Sequence, residues 1–379
     1  MKSEPSHSLE TFARTAGLQS RPSPLLQKGD SFIISPDDGI LVTGAAGFIG
    51  SRVVENLLDR GFRNLVCLGR PSGELFRLKE LGSRYPGAQV RLIKGNLLSR
   101  QDCEAACKET KLIIHLAAGT GEKSFPDAFM NSVVTTRNLL HASLQTGQLR
   151  RIVLVSSFSV YTNCRKPHGR LLEESCPVEE HGELRGEAYC FAKYHQEKLL
   201  AEYHEKFRVP YVVVRPGSVY GAKKQAIVGR VGIDTFGLFL HMGGSNTIPL
   251  TYVDNCADAV VLAGLVSGVD GEIFNVVDDD LPTSRQFLRW YKKNVKPLKS
   301  VYVPHAVSYT LCYLWEMYHQ WSEGQLPAAF NRKRWHAYWK KTTYSNEKLK
   351  TRLSWAPRVS TAEGLQQFFQ SCRQGGTNA

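Results

Sequence analysis

The sequence predicts an α/β fold: a doubly wound parallel sheet followed by a smaller C-terminal domain. Three observations predict it. Between Gly39 and roughly Val214, short β-branched runs alternate with stretches of helical periodicity, the pattern of βαβ units that build a parallel sheet. The first of these runs passes directly into a glycine-rich turn that opens a helix. After Arg215 the alternation gives way to Gly-rich loops and then to a basic, aromatic region.

The elements follow in order. A strand over 39–42 leads through Thr43-Gly44-Ala45-Ala46-Gly47-Phe48-Ile49-Gly50 into an amphipathic helix over Gly50–Asp59. Strands over 64–68, 89–93, 112–115, Arg151–Val155 and 211–214 are short, mostly apolar and bounded by turn or charge signals. Helices over 132–144 and 188–205 carry apolar residues at helical spacing and link them. Beyond Arg215 a helix is expected over 255–266 and a strand over 273–277, and no internal repeat is visible.

Composition bounds the rest. A chain of 379 residues, 42% apolar and 22% charged, can bury a core of one large or two medium domains. Its apolar runs fall far short of the ~20 residues that cross a bilayer. Residues 1–37 are rich in Ser and Pro and lack the regions of a secretory signal, so a disordered extension is expected. Nine cysteines with no CxxC pair suggest neither a disulfide framework nor a zinc site, and fit a reducing cytoplasm.

The net charge of +13 is unevenly spread: from Pro282 onward 16 Lys and Arg face 4 Asp and Glu, and all six tryptophans lie there. No recognised nucleic-acid module accompanies that charge, so no nucleic-acid partner is expected. Residues 307–321 place Leu311, Leu314, Trp315, Tyr318 and Trp321 close to one helical face, ahead of Arg332-Lys333-Arg334-Trp335. Such interleaving suits peripheral contact with anionic lipid or a pocket for an amphiphilic substrate. The plainer reading makes the stripe core of the smaller domain and the charges its solvated face.

Chemistry enters with the glycine turn. A GxxGxxG spacing between a strand and a helix lets backbone approach a pyrophosphate, whose charge is stabilised by the helix's positive end; a mere tight turn is the bland alternative. The second strand ends Cys67-Leu68-Gly69-Arg70, without the acid that holds the ribose of NAD. Arg70 could instead bind a 2′-phosphate, which favours NADP with NAD as the alternative, unless it stacks on adenine or points to solvent. Tyr189 and Lys193, four apart, share a helix face, with Glu197 one turn on. A phenol with an ordinary pKa of about 10 needs a neighbouring ammonium to exchange a proton near neutrality. Ser156 and Ser157 end a strand at the same sheet edge, where a hydroxyl could orient the reacting oxygen or simply cap the strand.

From Gly39 to about Phe369 the chain resembles the extended short-chain dehydrogenase/reductase superfamily, also called the NAD-dependent epimerase/dehydratase family. The matching segments are the glycine loop, His115-Leu116-Ala117-Ala118, Asn131, Ser156-Ser157 with Val160-Tyr161, Tyr189 with Lys193, Arg215-Pro216 with Val219-Tyr220-Gly221, and Tyr252-Val253-Asp254-Asn255. The resemblance implies a Rossmann domain over 38–215, with 252–277 returning to it. It leaves 216–251 and 278–379 as the substrate-binding domain, closing over the carboxyl edge where open α/β sheets bind ligands.

It further implies Ser157, Tyr189 and Lys193 as the catalytic set, Lys193 holding the nicotinamide ribose and depressing the Tyr189 pKa. Gly44, Gly47, Phe48, Ile49 and Gly50 would lie at the diphosphate, Asn96 and Leu97 near the adenine, Ala117 and Ala118 along the cofactor, and Pro216 and Val219 near the nicotinamide. Thr162 replaces the family's glycine after Tyr161, and His115 would be a strand-end residue more than a catalyst. No metal spacing is present.

Phe158 and Ser159 stand where dehydratases of the family carry carboxylates, and Ser218 stands where nucleotide-sugar epimerases usually have Asn. The chain therefore looks more like the branch of 3β-hydroxysteroid dehydrogenases and dihydroflavonol reductases. The expected activity interconverts a secondary alcohol and a ketone on a hydrophobic or amphiphilic small molecule. The alternatives are a nucleotide-sugar 4-epimerase with retained NAD and a non-catalytic dinucleotide-binding protein. Homodimers paired through helices are common in the family.

Overall fold

The computed structural model describes residues 9, 32–119, 124–164, 170–222, 224, 227–235, 237–323, 325 and 330–375. The first half of the chain runs β1 (Gly39–Thr43), α1 (Gly50–Asp59), β2 (Asn64–Gly69), α2 (Gly73–Gly82), β3 (Gln89–Lys94), α3 (Arg100–Cys107) and β4 (Thr110–His115). There follow α4 (Phe125–Ala128), a π-helical turn (Phe129–Val134), α5 (Thr135–Thr146), β5 (Arg151–Val155), β6 (Leu171–Leu172), α6 (Ala188–Phe207) and β7 (Tyr211–Pro216). The remainder comprises β8 (Ser218–Tyr220), β9 (Gly232–Thr235), β10 (Leu238–His241), β11 (Leu250–Tyr252), α7 (Val253–Leu265), β12 (Ile273–Val276) and α8 (Ser284–Asn294). Last come β13 (Ser300–Tyr302), α9 (His305–Trp321), α10 (Arg332–Tyr338), β14 (Thr343–Tyr344), α11 (Glu347–Leu353) and α12 (Thr361–Gly375).

Seven parallel strands form one sheet in the order β12-β7-β5-β4-β1-β2-β3. This is the predicted doubly wound sheet. Successive residues of β1 serve opposite faces: Ile40 and Val42 pack with Val53, Leu57 and Val260, whereas Leu41 packs with Ile113, Leu139 and Leu200. Both faces are covered, which is why the inner strands read as unbroken apolar runs. Strand β3, at the edge, keeps polar residues and partial exposure. The chain leaves β1 toward β2 on one side and β4 on the other, so a crevice opens at their carboxyl ends.

Two helices escape the sequence pattern, α2 and α3. Each is opened by a serine whose hydroxyl accepts from the backbone: Ser72 from Leu75 N at 3.3 Å and Ser99 from Asp102 N at 3.2 Å. The helix expected over 132–144 begins earlier, at Phe125, and passes through the π-helical turn.

The last residues of the expected N-terminal extension, from Phe32, are described. Phe32 bridges Val266, Ile33 N donates to Leu265 O at 3.0 Å, and Ile34 is buried, so 32–34 pack on the core while 35–37 are exposed. The rest of that expectation, residues 1–8 and 10–31, lies outside the described residues.

A second correction concerns α9. Only Ser308 and Cys312 of this helix are buried, whereas Val307, Leu311, Leu314, Met317, Tyr318 and Trp321 face outward. The stripe is therefore not core. The cluster beside α9 is instead Met242, Cys312, Trp335 and Trp339. From there the chain crosses back over the sheet edge: Lys340 Nζ donates to Asn163 O at 2.9 Å, and Tyr344 stacks on Phe158 with centroids 5.7 Å apart.

Candidate active site

The turn between β1 and α1 is shaped by its glycines. Gly44 has φ +67°, and a Cβ there would stand 2.9 Å from Ala117 N. A Cβ on Gly50 would stand 2.1 Å from Gly44 O. Side chains at either position would prise the turn away from the β4 end or from its own helix. Gly47, by contrast, is exposed. Helix α1 has Ile49 at its N-cap position, with no side-chain cap and no acid in its first turn, which leaves its positive end uncompensated. A bare backbone turn below an uncapped helix end fits the diphosphate of a dinucleotide.

The other expected cofactor residues distribute around this crevice. Ala117 N donates to Thr43 Oγ1 at 3.3 Å, and both Ala117 and Ala118 are half-buried just past β4. The Phe48 ring reaches across to β8, where a Cβ on Gly221 would lie 3.2 Å from its Cζ. Pro216 ends β7 and Val219 lies in β8, both buried. Arg70 is exposed immediately after β2. Asn96 N donates to Asp102 Oδ2 at 2.7 Å and Asn96 Oδ1 accepts from Leu98 N at 3.1 Å, so its side-chain oxygen is engaged within its own loop. Leu97 is buried, its carbonyl accepting from Asn138 Nδ2 at 3.0 Å.

Ser157, Tyr189 and Lys193 meet at the carboxyl end of β5. Ser157 Oγ accepts from Ser159 N at 3.1 Å, which makes the serine both a cap and a partner of the phenol. Burial pushes the Tyr189 phenol up to about 12, the hydrogen bond with Ser157 draws it partly back, and the charge of Glu187 adds to the rise. Lys193 Nζ donates to Val155 O at 2.8 Å and lies 5.9 Å from the Tyr189 ring centroid. Burial pulls this ammonium down to about 8, opposed by Glu197. The expected depression of Tyr189 by Lys193 does not accompany this arrangement, because the ammonium is committed to a backbone carbonyl and desolvation of the phenol dominates.

Glu197 is an ion-pair partner: Arg215 Nη2 lies 2.6 Å from its Oε2 and Arg215 Nε donates to Oε1 at 3.0 Å. His115 is a buried brace, hydrogen bonded to Thr43 Oγ1 at 2.7 Å and Thr136 Oγ1 at 2.9 Å. Burial, aided by the Lys193 charge, pulls it down to about 3 and keeps it neutral.

Sequence reasoning missed Arg185, Glu187 and Tyr338. Arg185 is fully buried, and its Nη1 donates to Ser159 O at 2.6 Å and Tyr161 O at 3.3 Å. Its Nε faces Glu187 Oε2 at 2.7 Å, and Glu187 precedes the helix that carries Tyr189. The Tyr338 hydroxyl donates to Glu187 Oε1, and Asn331 Nδ2 donates to Arg185 O at 2.9 Å. This cluster ties the serine loop, the start of α6 and the C-terminal domain together. The only local signal was a charged pair two residues apart ahead of the Tyr189 helix; Asn331 and Tyr338, its partners in the C-terminal part, lie 146 and 151 residues away.

Comparisons with known proteins bear on the family and the fold. The profile of the NAD dependent epimerase/dehydratase family matches residues 40–276. An uncharacterized UDP-glucose epimerase of Bacillus subtilis, YtcB, is 27% identical over 252 residues, 62% of this chain and 76% of that protein. Cinnamoyl-CoA reductase 1 of rice (Oryza sativa subsp. japonica) is 31% identical over 188 residues, 49% of this chain and 54% of that protein. Among solved structures, UDP-glucuronic acid 4-epimerase from Bacillus cereus in complex with NAD superposes with a TM-score of 0.64 at 22% identity. That match covers 89% of this chain and 99% of the other, a likeness of fold.

Proposed function

The chain belongs to the NAD dependent epimerase/dehydratase family, and from that premise we propose an NAD-dependent enzyme that oxidises and re-reduces a secondary carbinol of a nucleotide sugar, with Ser157, Tyr189 and Lys193 as its chemical set. The observation that carries this reading is the hydrogen-bonded Ser157–Tyr189 pair beside Lys193, at the mouth of a crevice opened by a glycine turn. The similarity to a UDP-glucose epimerase supports the substrate class.

A bound nicotinamide dinucleotide supplies the hydride acceptor and donor. Ser157 Oγ orients the substrate oxygen, and Tyr189 Oη exchanges the proton with that oxygen. A phenol near 12 is protonated at neutral pH, so Tyr189 is ready to donate to a carbonyl oxygen. In the oxidative direction it must first lose that proton. The Lys193 ammonium, charged below about 8, would favour the phenolate once released from Val155 O.

A second reading keeps these roles on a hydrophobic ketone with NADP. Buried Phe158 follows Ser157 directly and stacks on Tyr344, with no carboxylate beside the serine, and a cinnamoyl-CoA reductase is among the similar proteins. Exposed Arg70 could take a 2′-phosphate. Turnover separates the two: epimerisation of UDP-sugars without net consumption of added cofactor supports the first, and consumption of NADPH with hydrophobic ketones supports the second. In either case Tyr189→Phe should lower kcat by about 100-fold or more while cofactor affinity is kept. Unchanged turnover in that variant refutes the assignment.

A further inference from the structure

We propose that the outward face of α9 is an interfacial anchor that lies flat on an anionic lipid bilayer. The helix is built inside out. Its solvent face from Ala306 through Val307, Leu311, Leu314 and Tyr318 to Trp321 contains no Asp, Glu, Lys or Arg, and Trp321 is 78% exposed. Its inner face holds the polar anchors: Trp335 Nε1 donates to Ser308 Oγ at 2.9 Å, and Glu316 Oε2 pairs with Arg332 Nε at 2.7 Å. The apolar surface continues onto β13, where Val301 and Tyr302 are about half exposed. A contiguous exposed patch of this kind marks an interaction surface.

The rim identifies the occupant. Arg285 stands 5.7 Å from the Tyr302 ring. Lys296 and Lys299 are exposed just before β13. From Pro282 onward the chain carries 16 basic against 4 acidic residues. Two copies docked by this face about a twofold axis would bring like-charged rims together. An anionic bilayer accepts both the apolar stripe and the cationic rim. Among the described residues no helix is long and apolar enough to cross a membrane. With 17 residues, α9 extends about 25 Å and would lie in the interface plane, Tyr318 and Trp321 at the headgroup level.

The test is flotation of the full chain with phosphatidylcholine vesicles, with and without phosphatidylglycerol, at low and high salt. The expected result is co-flotation with the anionic vesicles, weakened by salt, and a blue shift of tryptophan emission. Leu314→Ser and Trp321→Ala should each lower partition by about tenfold while thermal unfolding is unchanged. Trp321→Ala removes a side chain with little packing, so it keeps the test meaningful if Leu314→Ser folds poorly. Failure of the wild-type chain to float, equal partition onto neutral vesicles, or a wild-type dimer that Leu314→Ser dissociates without any vesicle binding overturns the proposal.

Discussion

Replacing Lys193 with Met should change how stability depends on pH, and the size of the effect follows from burial. The ammonium has an ordinary pKa of 10.5 and falls to about 8 in the folded protein, chiefly through desolvation. A drop of that size corresponds to about 3 kcal/mol of destabilisation borne by the charged form. The sign is set by proton binding. Between about 8 and 10.5 the unfolded chain holds the proton and the folded chain does not, so wild-type stability gains over that window as pH rises. Below about 8 the full cost of burying the charge is present; above 10.5 it is gone.

Met fills similar volume but cannot donate to Val155 O, now 2.8 Å from Nζ, and an unmet buried carbonyl costs about 1–2 kcal/mol. The variant should therefore be about 1 kcal/mol more stable than wild type at pH 7 and less stable by about 1–2 kcal/mol above pH 10. Urea unfolding followed by tryptophan emission at intervals from pH 7 to 10.5, on cofactor-free protein, measures the difference. A wild-type-minus-variant difference that stays flat, or falls as pH rises, refutes the desolvation argument. If Lys193 has the proposed role, activity should be lost in the variant at every pH.

Gly50→Ala should disrupt the cofactor turn, since its Cβ would meet Gly44 O at 2.1 Å; loss of about 2 kcal/mol or more of stability and of nucleotide binding is expected by calorimetry. Gly47→Ala, whose Cβ would stand 3.1 Å from the same carbonyl, should fold with a much smaller stability loss, and equal destabilisation of the two would contradict the geometry. His115 falls from 6.5 to about 3, so the unfolded state takes up its proton first and stability is lost as pH drops through that window. His115→Gln should be less stable at pH 7 yet flatten the decline between pH 6.5 and 4 by about 3 kcal/mol, read from urea midpoints. Arg70→Asp should raise preference for NAD over NADP by at least about tenfold in a binding titration, and no shift would place the guanidinium away from the ribose.

The sheet was legible because burial on both faces forces long β-branched runs; β5 spans the residues its pattern indicated, Arg151–Val155. Helices α2 and α3 were not, because charged residues interrupt their short apolar faces; Ser72 and Ser99 were the available signals. The shared face of Tyr189 and Lys193 was equally local, a consequence of helical spacing. Their electrostatics were not. The rise of Tyr189 depends on burial and Glu187, and the distance of Lys193 from the phenol depends on Val155 O, which is 38 positions away. Charge-pair logic from sequence sees the neighbour but not the competing carbonyl.

Helix α9 marks the boundary of pattern reading more sharply. Its periodicity defines two faces, but along 17 residues the only Asp, Glu, Lys or Arg is Glu316, so neither face stands out as solvated by charge. What chooses the inner face comes from elsewhere in the chain. Ser308 meets the indole of Trp335, Glu316 meets the guanidinium of Arg332, and Cys312 joins Met242 and Trp339. Helix α10 supplies two of these partners, and turning α9 to bury Leu311 and Trp321 would strand Ser308 and Glu316 on the wrong side. Glu316 is held at both oxygens, by Arg332 Nε at 2.7 Å and by the Arg332 backbone N–H, and turning the helix would give up both contacts. The outward stripe is thus the consequence of how the inner face is satisfied, and among the described residues nothing covers it.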